Sequence, residues 1–255
     1  MSTKGRERSR EMRAARAAEQ AREQRRRTIV RVIGGVVILG LVAAIVFAVV
    51  KAVSQDDDKP AATGEVVAPA NVEKSGGFVV GDADAPVTLE LYYDYMCPAC
   101  GAFEATNGEE LSRLIDEGTL KVDLRVMAFL DEQSQGTEYS SRAANAYATV
   151  ADADPDHVWD FHAALYANQP REGTEGLSDG EIADLATGAG VPASVAETFT
   201  DGTHRGWVAK MTQDAFAAGV QSTPTVKLDG QVYTGDWSQA GALTKAIEAA
   251  AGGAQ

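Results

Sequence analysis

Cysteine is almost missing from this sequence, with two residues in 255. That excludes a disulfide-stapled scaffold, which needs several bridges across long loops. Histidine is nearly as rare. His157, His162 and His204 show no recognised ligand spacing, so a zinc site is not expected. A second long apolar run is also missing, which excludes a multi-pass membrane protein. No Cys stands directly after the one run present, so a lipoprotein is not expected. No internal repeat appears, and no low-complexity run appears outside the N-terminal tail. With 45% hydrophobic and 24% charged residues, collagen-like, prion-like and wholly disordered chains are excluded as well.

What is present is unevenly charged. The formal net charge is −14, yet residues 1–31 carry eleven Lys and Arg against four acids. The remaining chain is therefore strongly acidic. An acidic body reads as a solvated surface and argues against nucleic acid as a partner. Residues 1–27 hold Arg, Ala, Glu and Gln with almost no apolar mass and cannot build a core. Arg25, Arg26, Arg27 and Arg31 then stand just before Val32–Val50, 19 residues without a charge. At about 1.5 Å per residue that run matches one hydrocarbon core. It is not amphipathic, and its flanks differ in charge, so a transmembrane signal anchor is expected rather than a buried helix. A cleaved signal peptide is the competing reading. It fits less well, because the run is long and no convincing small-x-small site follows it. The positive-inside rule puts the Arg cluster in the cytoplasm and the C-terminal body outside, tethered to the plasma membrane through residues 32–50. Residues 51–77, with Asp56–Asp58, Pro60, Pro69 and Gly76–Gly77, read as an acidic linker, although a strand around Val66–Val67 is conceivable.

The body, residues 78–255, begins as a βαβ unit. Val87–Tyr93 alternates and reads as a strand. A helix is expected from the Cys97-Pro98-Ala99-Cys100 segment to about Glu117, kinked where Asn107-Gly108 resembles a second N-cap. Leu120–Val126 alternates again. Residues 131–219 then read helical. Asp154-Pro155 suggests one helix start, and Ser178-Asp179-Gly180-Glu181 is a capping box. A strand from Thr223, a hairpin turn at Asp229-Gly230 and a helix over Ser238–Ala250 complete an α/β pattern. Trp159, Phe161, Trp207 and Phe216 fall at helical spacing and are expected in the core. Tyr93 and Tyr95 flank the cysteines and suit either packing or a peptide-binding surface.

The two cysteines lie three apart at a strand-to-helix junction. A bridge between them closes a tiny loop and adds little chain-entropy stabilisation. A redox role has a direct cause. The first turn of a helix carries unpaired N–H groups and partial positive charge, which favour a thiolate. Cys97, at the N-cap, is expected to be the exposed nucleophile. Cys100, one turn in, is the shielded resolving thiol. Pro98 suits the first helical position. Ala99 offers no hydrogen bond of its own side chain, so the dipeptide alone does not set the potential.

Four segments carry a family resemblance: YYDYMCPACGAFE (Tyr92–Glu104), SSRAANAYATV (Ser140–Val150), VWDFHAALYANQPREGTEGLSDGEI (Val158–Ile182) and GVQSTPTVKLDG (Gly219–Gly230). The body resembles the DsbA-like branch of the thioredoxin superfamily. It is most similar to the membrane-anchored thiol-disulfide oxidoreductases of high-GC Gram-positive bacteria. The resemblance implies a thioredoxin fold with an inserted helical subdomain at about 131–219. It also implies a cis Thr223-Pro224 peptide facing the cysteines, where Thr223 and Pro224 hold an extended client strand. Two departures stand out. Ala99 occupies a dipeptide position where well-known members carry His. Leu91 occupies a position, six before the nucleophile, where many relatives bury an acid. Glu90 is adjacent but belongs to the other strand face. Asp94 matches a common family residue and reads as a solvated loop acid, as an N-terminal capping acid or as a redox-tuning group.

The expected activity is disulfide introduction into reduced secreted or surface proteins, without metal or organic cofactor. A quinone-coupled membrane protein of the VKOR or DsbB type is the re-oxidase the resemblance suggests. Two alternatives use the same groove: a thiol reductase or isomerase, and a non-catalytic peptide-binding chaperone module.

Overall fold

A computed structural model describes residues 65–72 and 76–253. The basic tail 1–31, the apolar run 32–50 and most of the linker lie outside them. Among the described residues no helix is long and apolar enough to cross a membrane. Residues 65–72 lie against the body. The Val67 carbonyl is 2.9 Å from His204 Nδ1, Ala70 N–H donates to Asp152, and Val72 bridges to Phe78. No strand forms at Val66–Val67.

Alternating apolar residues build the sheet. A short strand β1 (Phe78–Val80) precedes β2 (Val87–Tyr93). Helix α1 (Pro98–Asp116) carries the chain to β3 (Leu120–Val126), which pairs parallel to β2 with Leu91 opposite Leu124. β1 adds antiparallel to β3. On the other side β4 (Thr225–Leu228) runs antiparallel to β2, with Leu91 opposite Val226, and β5 (Gln231–Val232) closes the order β1-β3-β2-β4-β5. β2 is thus the central strand, and its carboxyl end is where a ligand site is expected in such sheets. Asp229 and Gly230 both take positive φ, 46° and 78°, as a two-residue Asp-Gly hairpin turn demands. The turn is locked to β2 by Thr88 N–H, which donates to Asp229 Oδ1 at 2.9 Å.

Between β3 and β4 the chain is helical. A 3-10 turn (Asp131–Ser134) leads into α2 (Tyr139–Ala153), α3 (Val158–Ala167), α4 (Asp179–Gly188), the single turn α5 (Ala193–Ala196) and α6 (Arg205–Ala217). α2 is the hub, packing on both α3 and α6. Its alanines at 143, 144, 146 and 148 are all fully buried, and small side chains permit that enclosure on several sides. The Ser178–Glu181 capping box forms as expected, with both reciprocal hydrogen bonds in place. α7 (Ala242–Gly253) packs Leu243 and Ile247 into the core.

Three local expectations fail and a fourth holds in part, each for a visible reason. α1 runs unbroken through Asn107. The Asn107 amide donates to Phe103 O (2.9 Å) and to Trp237 O (3.1 Å) instead of capping a new helix. The Asp154-Pro155 start does form, as a 3-10 turn (Pro155–His157) with Asp154 at its N-cap position that leads into α3, but the Asp154 carboxylate pairs with His157 Nδ1 at 2.8 Å instead of capping a backbone N–H. α7 starts at Ala242 rather than Ser238, whose hydroxyl and N–H both bind Asp236. Phe216 is 54% exposed. It lies one position past Ala215 on the buried face of α6 and so rotates outward, where it stacks on Phe129 at 4.2 Å. Trp207 and Phe161 are buried, as their spacing predicts, and Trp159 is partly so.

Candidate active site

The site is built at the end of β2. After Tyr93 the chain turns through Asp94, Tyr95 and Met96. Cys97 takes the N-cap position with extended backbone angles (φ −71°, ψ 116°), and Pro98 occupies the first turn of α1. Cys97 N–H donates to Asp94 O at 3.0 Å and so closes the turn. Both cysteines are free thiols. Cys100, one helical turn on, is wholly shielded, and Cys97 keeps a small exposed surface. The Thr223-Pro224 peptide is cis. It brings Thr223 to the thiols, with Cys97 Sγ 3.3 Å from the Thr223 carbonyl oxygen.

The two sulfurs have opposite proton affinities. The Cys97 thiol is lowered to about 6. The hydrogen bond from the Cys100 thiol contributes most, against the opposing effect of burial. The Thr223 side chain and the N–H groups of Cys100 and Ala99 add to it. This is the N-terminal helix effect made specific. Cys100 is pushed far upward, first by burial, then by the hydrogen bond it gives Cys97 and by the charge there.

Asp94 is fully buried, which corrects the reading as a solvated loop acid. Its Oδ1 accepts from Met96 N–H (2.8 Å) and Ser140 Oγ (2.6 Å), and Oδ2 accepts from Leu130 N–H (2.9 Å). Burial nevertheless raises its carboxyl to about 6, against the lowering effect of these three bonds. Asp94 therefore ties the Cys97 turn to the loop after β3 and to α2. Glu90 is turned away from the thiols, as the strand period requires. Its Oε2 lies 3.4 Å from Arg125 and 3.6 Å from Lys227, and both cations also sit over the Tyr92 ring. Leu91 is enclosed in the apolar core.

Tyr93 and Tyr95 are buried and serve packing rather than a surface groove. Tyr93 meets Phe103 edge-on at 5.6 Å, stacks with His162 at 5.4 Å and meets Tyr166 at 5.4 Å. His162 Nδ1 is 3.1 Å from the Tyr95 hydroxyl, and its Nε2 is 3.5 Å from Glu104 Oε2. Burial drives the Tyr93 hydroxyl well above its ordinary value, and Glu104 and Cys100 add to the rise. This aromatic floor keeps water from Cys100. Among the described residues no three potential metal ligands come together. Sequence reasoning missed Glu104 and Ser140 as neighbours of the site. It also missed Gln169, whose Nε2 donates to Tyr95 O and Cys97 O. The Glu104 spacing from Cys100, four residues on one helix, was the one available signal.

The geometry agrees with what comparison with other proteins shows. A thioredoxin family model matches residues 73–249. The chain belongs to the thioredoxin family. Within it, the chain is 32% identical over 157 residues to disulfide bond formation protein D of Bacillus subtilis, covering 60% of this chain and 68% of that protein. The solved reduced form of the disulfide bond oxidoreductase DsbG from Mycobacterium tuberculosis is 32% identical, with a TM-score of 0.60 over 68% of this chain and 86% of that one. These relatives place this thioredoxin-family chain among the DsbA-like thiol-disulfide oxidoreductases. The serine/threonine-protein kinase PknE of M. tuberculosis is 30% identical over 134 residues, and the chain spans 24% of its length.

Proposed function

We propose that this protein is a membrane-tethered, extracytoplasmic oxidase that introduces disulfides into secreted or surface proteins. The observation that carries the reading is the contrast within one helical turn: a Cys97 thiol lowered to about 6 beside a Cys100 thiol pushed far up. A stabilised Cys97 thiolate stabilises the reduced form, and a CxxC pair with a stabilised reduced form is a strong oxidant.

The cycle starts from the Cys97–Cys100 disulfide. A client thiolate attacks Cys97 Sγ, and the bond to Cys100 breaks. Cys100 leaves as a thiolate and takes up a proton, as its high proton affinity favours. A second client thiolate then attacks the client sulfur of the mixed disulfide and expels Cys97 as its stable thiolate. Two electrons pass from the client dithiol to the CxxC pair. Thr223 and Pro224 flank this exchange, where an extended client segment pairs with backbone beside the largely buried Cys97 sulfur. Pro98 supports the helix start, and Ala99 acts through its N–H. A quinone-coupled membrane protein of the VKOR or DsbB type removes the two electrons. The run 32–50 and the arginines before it support an anchor with the catalytic body outside.

The test is the redox equilibrium of the full-length chain in detergent against glutathione, together with disulfide gain in a reduced, unfolded client. The expected potential is more oxidising than roughly −180 mV. A value at or below roughly −270 mV, the thioredoxin level, would reassign the protein as a reductase. In intact cells treated first with a membrane-impermeant reductant, a membrane-impermeant maleimide is expected to label Cys97, and labelling only after lysis would refute the extracytoplasmic placement.

A further inference from the structure

One side chain joins the helical insertion to the reactive turn. Gln169 lies two residues past the end of α3 and is half-buried beside Cys97. Its Nε2 donates to Tyr95 O at 3.1 Å and to Cys97 O at 2.9 Å. The same Cys97 carbonyl accepts from Cys100 N–H (3.0 Å) and Gly101 N–H (3.2 Å), so three donors converge on one oxygen. The other end of the amide lies over Gly101. A Cβ at Gly101 would fall 2.1 Å from Gln169 Oε1 and 3.0 Å from its Cδ. Gly101 sits inside α1 and is not among the glycines with positive φ. Its backbone therefore does not call for glycine, and glycine is a poor helix former. The space taken by Gln169 does call for it.

The consequence is electrostatic as well as steric. The N–H groups of Ala99 and Cys100 stabilise the Cys97 sulfur only if the turn aims them at it. Gln169 pins that turn at two carbonyls and sets the positive end of its amide against Cys97. We infer that Gln169 is a positioning residue for the Cys97 thiolate, and that Gly101 is glycine to make room for it. The inference rests on the dithiol reading above but concerns the ionisation of Cys97 alone, whichever way electrons flow.

The test is the pH dependence of iodoacetamide alkylation of the reduced, full-length chain, with the label located on Cys97 by mass spectrometry. Gln169→Ala, Gly101→Ala and the double variant are compared with the parent, whose midpoint is expected near 6. Gln169→Ala is expected to raise the midpoint by at least about 0.3 unit, roughly a twofold loss in thiolate preference. Gly101→Ala is expected to raise it too, because the new methyl displaces the amide. The double variant is expected to match Gln169→Ala rather than the sum of both shifts, since the two residues act through one contact. A smaller rise in Gln169→Ala, or additive shifts, overturns the proposal. If Gln169→Ala does not fold, Gly101→Ala decides alone, and an unmoved midpoint there overturns it. Variants that show these shifts, alongside a parent that exchanges no disulfides, would instead sink the functional reading.

Discussion

Strand β2 turns two different faces to the molecule. Leu89, Leu91 and Tyr93 enter a dry core roofed by Phe103 of α1 and by the His162 cluster. Thr88, Glu90 and Tyr92 lie on the other side, where Glu90, Asp123, Arg125 and Lys227 share charge around the Tyr92 ring. One strand therefore serves two electrostatic regimes a few ångströms apart. The dry side holds Cys100, and low polarity there is what keeps this sulfur protonated. The charged side tolerates an acid because two cations already face it. An acid at Leu91 would meet no such partners, so its absence there is consistent with the core around it.

The comparison breaks most readily on the dry side. Leu91→Asp is expected to cost about 3–5 kcal/mol of stability, the cost of an unpaired buried carboxyl. Urea unfolding of the reduced protein measures it, and a loss under about 1 kcal/mol would mean that this face accepts charge after all. Asp94→Asn comes next, at about 2 kcal/mol, because one of three donors loses its acceptor. Here the sign with pH is specific. The Asp94 carboxyl is raised to about 6 in the fold from 3.8. Its protonation therefore favours the native state fully below pH 3.8, and that contribution is lost as pH rises through about 6. The advantage of the parent over Asp94→Asn is expected to shrink between pH 4 and pH 7, as unfolding curves across that range would show. An advantage that grew instead would contradict a raised Asp94. The smallest effect is Glu90→Gln, at about 0.5–1 kcal/mol. Arg125 keeps its 2.7 Å contact with Asp123. Alkylation of Cys97 in Glu90→Gln is expected to follow the parent pH profile, and a displaced profile would couple the two faces.

Much of the site was legible in the chain because its signals are local. The Cys97–Cys100 spacing, Pro98 and the alternation of Val87–Tyr93 each act within a few residues. Together they announce a thiol at a helix start. The opposite orientation of Glu90 and Leu91 followed from the two-residue strand period alone. Asp94 was not legible. Three donors gather on it from Met96, Leu130 and Ser140, and two of these are more than thirty residues away. Asn107 misled for a related reason: it is a good capping type, but its amide is spent on the Phe103 and Trp237 carbonyls.

The sequence by itself determined the order of elements from β2 onward, the helical insertion, the reactive pair and the Asp229-Gly230 turn, because propensity, patterning and turn chemistry operate over short spans. The edge strand β1 was not among them. Tertiary structure alone decided which groups meet the sulfurs: the Thr223 carbonyl from 126 residues away, the aromatic floor from α3, and the amide of Gln169. Proton affinity depends on distance, burial and the aim of donors. These are properties of positions in space, and they exist only once the insertion has closed over the carboxyl end of β2.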